Sequence, residues 1–346
     1  MREAFREYRW LLLVASLYAA TVSALALGIC HAPFEEFEMT LYVSLMIAMK
    51  CMIFFVIMAG VVWACNVARH GLKEGKARYA TLSHAYLDGP AFPRAVFATL
   101  VLTGIGFFFT AKSLIPRLNP YKSDPAIAEL EKTLHLGHYP HEWVIPFTDS
   151  LHFSFALDTA YLVWFAVMYA ALAYNVFIDS DINRRLRFLW TFALSWILLG
   201  TLLATGLSST GPLFFGNFYP DMADPYKDLV AHFDDLAANG QNLSTARGRE
   251  MLLAWTKGDR VININAISAM PSMHVAVAWM AALYARTIGK AIFAAALAFC
   301  VLILWGAVYF GYHYALDGYV SIVAVSLIWW GLGKAFPAAK SPDSKA

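Results

Sequence analysis

Long apolar runs dominate the pattern of hydrophobic and polar positions along the chain. A helix of about 17 to 25 apolar residues crosses the hydrocarbon core of a bilayer. Eight runs are candidates by this measure: Trp10–Gly28, Leu41–Ala68, Ala95–Thr110, Leu157–Phe177, Phe188–Leu207, Met273–Ile288, Ala291–Phe310 and Tyr314–Phe336. The pattern therefore predicts an all-α integral membrane protein with about eight transmembrane helices.

The composition supports this assignment and excludes several other classes of protein. The 346-residue chain is 60% hydrophobic and only 14% charged, whereas soluble domains carry about 25% charged residues. Its net charge of +2 is too small to indicate a nucleic-acid-binding protein. The four cysteines are widely spaced, which matches neither a disulfide framework nor a zinc site.

The distribution of Lys and Arg predicts the orientation of the chain, because cytoplasmic loops carry the excess of these residues. With eight spans, the side that holds the N-terminus has 16 of them and the opposite side has nine, all in two long segments. Both termini are therefore expected in the cytoplasm. Arg2, Arg6 and Arg9 precede a first run that leads directly to another span, so this run is predicted to be a retained anchor rather than a signal peptide.

The two long segments, about Ala111–Ala156 and Ser208–Pro271, are then extracytoplasmic. Loops of this length are usually functional or contain helices of their own. Apolar residues recur at helical spacing in Asp124–Leu136 and Pro225–Ala238. We therefore expect a short helix in each segment, lying along the membrane surface, and a polar tail after Pro337.

Three ionisable residues at the ends of predicted spans are candidates for chemistry. His274 begins the sixth span in the sequence Pro-Ser-Met-His, and His313 and Asp317 begin the eighth. An ionisable residue at membrane depth is costly and is usually functional. All three residues are expected at the extracytoplasmic side, so the two histidines can meet.

The chemistry of these residues favours phosphoryl transfer. Asp317 lies four residues after His313 on the same helix face, so its carboxylate can bind one ring nitrogen and leave the other to attack. His274 is suited to protonate a leaving oxygen and then to activate an acceptor. Pro271 suits the first turn of the sixth helix, whose free N–H groups would attract an anion beside the Ser272 hydroxyl.

Other interpretations stay open on these residues alone. A single histidine at the end of a span is more often an interfacial residue with a hydrogen-bonded ring. A transporter or channel with an intramembrane His–Asp pair is also consistent, with Lys50 of the second span as a further member of a proton relay. A loop that contains His135, His138 and His141 resembles a metal cluster in composition, but it lacks a closed ligand set.

The two motifs resemble the second and third signature motifs of the type 2 phosphatidic acid phosphatase (PAP2) superfamily. Leu134–Pro140, Leu157–Trp164 and Thr210–Gly216 look like features of its branch that includes the inositol phosphorylceramide synthases. The resemblance extends over roughly residues 92–333. It implies a two-helix addition with a cytoplasmic loop at 1–91, a catalytic membrane domain with a six-helix core at 92–336, and the tail at 337–346.

The resemblance implies a role for each candidate residue. His313 would be the nucleophile that becomes phosphorylated, Asp317 would orient it, and His274 would act as acid and base, without a metal or other cofactor. The commonest third motif has Ser-Arg where this chain has Gly306 and Ala307. One phosphate-binding arginine is therefore missing.

Other residues would then have to hold the phosphate, because a reacting phosphoryl group needs cationic or N–H partners. Lys112 and Arg117, expected just beyond the third span on the extracytoplasmic side, are candidates, with contact to lipid headgroups as the alternative role for Arg117. Gly211 and Pro212 are candidates for a tight backbone turn near the phosphate, with a plain helix terminator as the alternative.

We therefore expect an integral membrane enzyme that acts on a phospholipid or lipid phosphate at the extracytoplasmic (periplasmic or lumenal) face, through a phosphohistidine. The resemblance favours head-group transfer to an alcohol or lipid acceptor, as in an inositol phosphorylceramide synthase. A lipid phosphate phosphatase that uses water is the first alternative. A non-enzymatic membrane transporter is the alternative from another class.

Overall fold

A computed structural model of the chain describes residues 1–33, 36–87, 91–148, 150–241, 243–256, 258, 261–262 and 266–337. The predicted tail beyond residue 337 lies outside these residues. So do four of the cations on which the predicted orientation depends: Lys257, Arg260, Lys340 and Lys345.

The described residues form fifteen α-helices. In chain order they are α1 (Arg2–Ala24), α2 (Glu36–Leu87), α3 (Ala91–Ile105), α4 (Phe108–Leu118), α5 (Asp124–Leu134), α6 (Pro140–Thr148), α7 (Leu151–Ala173), α8 (Ile182–Leu194), α9 (Ala204–Gly206), α10 (Phe215–Phe218), α11 (Lys227–Ala238), α12 (Ser244–Thr256), α13 (Met273–Arg286), α14 (Lys290–Tyr309) and α15 (Ala315–Ala335). Three π-helical segments follow α1, α7 and α8: Leu25–Ile29, Tyr174–Ile178 and Ser195–Leu203. A short 3-10 helix, Pro212–Phe214, precedes α10.

Six helical segments of the described chain are long and apolar enough to cross a membrane: Arg2–Ile29, Phe92–Leu118, His152–Ile178, Ile182–Gly206, Lys290–Tyr309 and Ala315–Ala335. Each overlaps one of the predicted spans. The remaining two predicted spans lie in α2, which is interrupted at Gly71 (φ 77°), and in α13. Helix α13 has 14 residues, which gives a length of about 21 Å against a hydrocarbon core of roughly 30 Å. The structure thus supports a multi-pass membrane protein, and the predicted number of eight spans is not confirmed.

Four spans extend several residues beyond the positions at which hydropathy ended them. Helix α1 begins at Arg2 rather than Trp10, and the third predicted span continues past Thr110 to Leu118. The fourth span begins at His152 rather than Leu157, and the fifth begins at Ile182 rather than Phe188. In α1 the carboxylate of Glu7 has two partners: it pairs with the fully buried Arg185 of α8 at 2.9 Å and with Arg94 of α3 at 3.5 Å. A charge that is paired in this way is tolerated in an apolar environment, so the helix does not end at its charged residues.

Helix α13 packs against α7, α8, α14 and α15, although it is shorter than α7, α14 and α15. Its buried alanines let neighbouring backbones approach closely, as small residues do between membrane helices: Ala276, Ala278, Ala282 and Ala285. The starts of α13 and α15 come together at Gly318, where a Cβ would collide with Leu304 of α14 and touch Val275 of α13. This packing fixes the position of His274 relative to the start of α15.

The two long loop segments contain helices and are tied to the bundle. Helix α5 lies in the first segment, and α11 lies in the second. The second segment also contains α12, which the sequence pattern did not indicate. Asp158 of α7 accepts hydrogen bonds from the N–H groups of Ser244 and Thr245 at 2.9 and 2.8 Å. A span carboxylate thus holds the start of α12 against the bundle.

Candidate active site

The structure brings His274 and His313 together. His274 is the second residue of α13, and His313 lies in the turn between α14 and α15. The centroids of their rings are 5.8 Å apart, and the ring planes are inclined at 61°. A small group could therefore contact both imidazoles at once.

Two acceptors hold one nitrogen of His313. Its Nδ1 lies 2.8 Å from the carbonyl oxygen of Ala269 and 3.3 Å from Oδ2 of Asp317. Because both partners are acceptors, Nδ1 carries the hydrogen and donates it, which leaves a lone pair on Nε2.

The surroundings of His313 keep its imidazole neutral. Burial lowers the pKa of His313 to about 4. The hydrogen bond to Ala269 opposes this shift, and the positive charge of Lys112 reinforces it. The ring is therefore neutral at pH 7, which is the form that a nucleophile requires.

Asp317 is fully buried and has two neighbours at Oδ2. This oxygen accepts from Nδ1 of His313 and, at 3.0 Å, from the N–H of Tyr314. The second contact caps the start of α15. The Ala269 carbonyl is nearer to His313 than the carboxylate is, so orientation of this ring is shared between them. Sequence reasoning missed Ala269, since every residue has a carbonyl and no side chain marks this one.

His274 lies between two aromatic side chains of α7. The ring of Tyr161 stacks on it, with a centroid distance of 4.7 Å and an angle of 24°, and the Trp164 ring is 4.6 Å away. The indole N–H of Trp164 donates to the carbonyl oxygen of His274 at 2.8 Å. These contacts fix both the ring and the backbone of His274.

Ser272 caps helix α13. Its hydroxyl oxygen accepts from the N–H of Val275 at 3.4 Å, and the residue is fully buried. Pro271 was expected in the first helical turn, but the helix begins at Met273 and Pro271 precedes the cap. A serine N-cap satisfies one of the free N–H groups at the helix start, which explains why the helix begins here.

The two candidate cations lie in different surroundings. Lys112 is inside α4, rather than in the loop beyond a span, and its positive charge acts on both His274 and His313. Arg117 is exposed, donates to the carbonyl oxygen of Val261 at 3.2 Å, and lies in electrostatic range of Cys30. Of the two, Lys112 thus lies in electrostatic range of both histidines.

The turn at Gly211 and Pro212 packs against the chain that leads to His313. Gly211 has φ +91°, and a Cβ there would lie 2.6 Å from the carbonyl oxygen of Tyr312. Its N–H donates to Oδ1 of Asp124 at 2.8 Å. Pro212 is buried and begins the 3-10 helix. Because the Gly211 N–H already has a carboxylate partner, this turn supports the backbone before His313 and does not offer that N–H to a phosphate.

A sequence model of the PAP2 superfamily matches residues 125–331, which run from α5 to α15 and include both histidines. The chain belongs to the PAP2 superfamily. Membership indicates a phosphatase or phosphotransferase that acts on lipid phosphates. The matched segment begins later than the expected residue 92, so Lys112 lies outside it. No curated protein and no solved structure matches the chain.

Asp124 is a buried carboxylate of this PAP2 protein that sequence reasoning did not single out. Four groups donate to it: the N–H groups of Thr210 and Gly211, and the hydroxyls of Tyr219 and Tyr314, at 2.8 to 3.0 Å. Tyr314 follows His313 directly. In the sequence, Asp124 is an acidic residue in the first turn of an amphipathic helix, which usually indicates a favourable interaction with the helix dipole and no more.

Glu131 lies two turns further along α5 and also contacts the start of α15. Its Oε1 accepts from the N–H of Ala315 at 2.6 Å, and its Oε2 accepts from the hydroxyl of Tyr226 at 3.4 Å. Burial raises the pKa of Glu131 to about 8, and the nearby Asp317 carboxylate adds to this shift. The spacing of seven residues between Asp124 and Glu131 was the available sequence signal, because it places both on one helix face.

The remaining candidates of the sequence have separate environments. His135 contacts the carbonyl oxygen of Glu131 and the hydroxyl of Tyr319, and His138 pairs with Glu142 at 2.9 Å. Within the described residues no three His, Cys, Asp or Glu side chains form a group that could hold a metal ion. Lys50 is exposed on α2, whereas His313 and Asp317 are buried.

We predict that Asp124→Asn lowers both the thermal stability and the turnover of this PAP2 protein. The amide keeps one acceptor oxygen but presents an NH₂ group to donors, and hydrogen bonds to a charged group are worth about 1.5–3 kcal/mol each. The thermal unfolding midpoint in detergent and the rate of lipid phosphate turnover are the measurements. Glu129→Gln removes an exposed carboxylate from the same helix and should change neither. Equal behaviour of the two variants would contradict the assigned role of Asp124.

Proposed function

We propose that the protein is a membrane lipid phosphotransferase that acts through a phosphohistidine at His313. The main support is the pair of imidazole rings of His274 and His313, whose centroids are 5.8 Å apart. Two acceptors hold Nδ1 of His313, which leaves its Nε2 to attack. The superfamily match supports the class of substrate, which is a lipid phosphate. The phosphohistidine and the acceptor go beyond that match and are part of this proposal.

In the first half-reaction, the lone pair of His313 Nε2 attacks the phosphorus atom of the lipid substrate. An N–P bond forms, and the bond from phosphorus to the leaving oxygen breaks. His274, in its protonated form, donates its proton to that oxygen, so the lipid leaves as an alcohol. The acceptors at Nδ1, Ala269 and Asp317, stabilise the positive charge that develops on the His313 ring.

In the second half-reaction, His274 is the base. It removes the proton from the hydroxyl of an acceptor, the acceptor oxygen attacks the phosphorus, and the N–P bond breaks. This step restores neutral His313 and protonated His274. An alcohol or lipid acceptor makes the protein a transferase, whereas water makes it a phosphatase.

Lys112 is the proposed phosphate-binding cation. Its charge acts on both histidines, so a phosphoryl group between the two rings would lie in the field of that charge. A fixed cation stabilises the charge on the transferring phosphoryl oxygens without reorganisation during the reaction. Arg117, beside Val261, is left with the alternative role of lipid headgroup contact.

We favour transfer to an acceptor over hydrolysis because three segments resemble features of the inositol phosphorylceramide synthase branch. These are the segments Leu134–Pro140, Leu157–Trp164 and Thr210–Gly216. A transporter with a relay through Lys50 is disfavoured, since that side chain is exposed on α2 while the His–Asp pair is buried.

We predict that His313→Ala abolishes turnover in a folded protein and that His274→Ala slows it by about 10²–10⁴-fold, the usual contribution of a general acid or base. The assay incubates purified protein with labelled phospholipids and polyprenyl phosphates, with and without ceramide and inositol, and identifies the products. Acid-labile label on the wild-type protein would mark the phosphohistidine. His70→Ala, at an exposed histidine of α2 outside the pair and the matched residues, is the control and should keep full activity. Wild-type turnover by the His313→Ala protein would refute the mechanism.

We predict that Lys112→Met lowers kcat by about 10²–10³-fold, the usual effect of removing one electrostatic donor at a reacting centre. The effect should appear in kcat and not only in KM, since charge stabilisation strengthens in the transition state. Lys122→Met neutralises an exposed lysine of the adjoining segment and is the matched control. An unchanged kcat for Lys112→Met would leave the N–H groups at the start of α13 as the phosphate-binding groups.

We also propose that both termini are cytoplasmic and that the histidines face the extracytoplasmic side, from the excess of Lys and Arg on the side of the N-terminus. In a variant without the four native cysteines, Glu129→Cys should react with a membrane-impermeant thiol reagent outside intact cells, and Ser180→Cys should not. Both positions are exposed, so access to the reagent depends on the side of the membrane. The opposite labelling would reverse the orientation.

A further inference from the structure

Tyr161 of α7 is a buried residue with an unsatisfied hydroxyl. The residue is 6% exposed, and its hydroxyl oxygen has no hydrogen-bond partner among the described residues. A buried tyrosine usually finds a partner for its O–H, because a buried polar group without one costs free energy. An exception in a residue that contacts His274 therefore requires an explanation.

The position of this hydroxyl relates it to the site. The Tyr161 ring stacks on His274 and meets the ring of Phe310 edge-on, with centroids 5.6 Å apart. The hydroxyl lies in electrostatic range of Tyr312 and Asp317. Tyr312 precedes His313 in the chain and Asp317 follows it, so the hydroxyl is near the turn that carries the proposed nucleophile.

The neighbouring helix provides the space for this ring. A Cβ at Gly306 of α14 would lie 2.9 Å from Cδ2 of Tyr161 and 3.5 Å from Cδ1 of Leu157. Real Cβ atoms do not approach a ring carbon so closely, so a larger residue at Gly306 would displace Tyr161. The absence of a side chain at Gly306 thus lets the Tyr161 ring reach His274.

We propose that the Tyr161 hydroxyl is a substrate-binding donor that contacts a non-bridging oxygen of the phosphoryl group between His274 and His313. This inference rests on the proposed phosphoryl transfer. The unsatisfied hydroxyl gains its partner when the substrate binds, and it adds an uncharged donor to a phosphate site whose proposed cation is Lys112. The tyrosine transfers no proton, so it needs no change of its ionisation state.

The test uses Tyr161→Phe in the full chain, because phenylalanine keeps the ring that stacks on His274 and removes only the hydroxyl. Orthovanadate, a mimic of the transferring phosphoryl group, is the probe, and its binding is measured by the rise of the thermal unfolding midpoint in detergent. Turnover of phosphatidic acid is measured in parallel. The control is Tyr8→Phe, which removes another buried tyrosine hydroxyl, in α1 beside Arg185.

Tyr161→Phe should weaken orthovanadate binding and lower kcat/KM by about 10- to 100-fold, the effect of losing one hydrogen bond to a charged group. Its unfolding midpoint without ligand should equal or exceed that of the wild type, because a buried hydroxyl without a partner does not stabilise the fold. Tyr8→Phe should bind orthovanadate as the wild type does.

Unchanged orthovanadate binding by Tyr161→Phe, or a loss that only follows a lower midpoint of the unliganded protein, would overturn the inference and leave the proposed function in place. Failure of the wild-type protein both to bind orthovanadate and to turn over any lipid phosphate would overturn the two together.

Discussion

The buried carboxylate of Asp124 is the interaction on which the geometry of the site depends. It accepts hydrogen bonds from the backbone at Thr210 and Gly211 and from the hydroxyls of Tyr219 and Tyr314. One side chain of α5 thereby joins both long loop segments to the residue that follows His313. A buried carboxylate without such donors would be strongly unfavourable, so these four groups must converge whenever the chain is folded. The position of the proposed nucleophile is a consequence of that requirement.

Burial also determines the electrostatics around the two histidines. Burial keeps His313 neutral, and the positive charge of Lys112 reinforces this because it disfavours a second positive charge. A bound phosphate would oppose this influence of Lys112, because its negative charge offsets the positive charge of the lysine. It would thereby favour the protonated form of His274. In the proposed mechanism, the substrate itself would thus help to create the acid that protonates the leaving oxygen.

The part of the chain before the matched segment is joined to the catalytic part. Helix α1 packs against α3 and reaches α8 through the ion pair of Glu7 with the fully buried Arg185. Removing one partner of such a buried pair leaves an uncompensated charge, which is costly. Helix α4 then supplies Lys112 from a position outside the matched residues 125–331. The N-terminal helices are therefore part of the structure that positions the site.

The sequence by itself determined the class of the protein, most of its spans and the residues of the two motifs. Apolar runs of membrane length exclude other folds, and His313 and Asp317, four residues apart, share a helix face through local geometry alone. The tertiary structure decided what depends on distant residues. Helix α1 continues past its charged residues because Glu7 meets Arg185, and Lys112 lies within α4 in electrostatic range of both histidines. In the folded chain the carbonyl oxygen of Ala269 is the nearer partner of His313, and Asp124, Glu131 and Tyr161 lie near the site. Hydropathy and spacing record the preferences of neighbouring residues, whereas the partner of a buried polar group is fixed only when distant segments pack together.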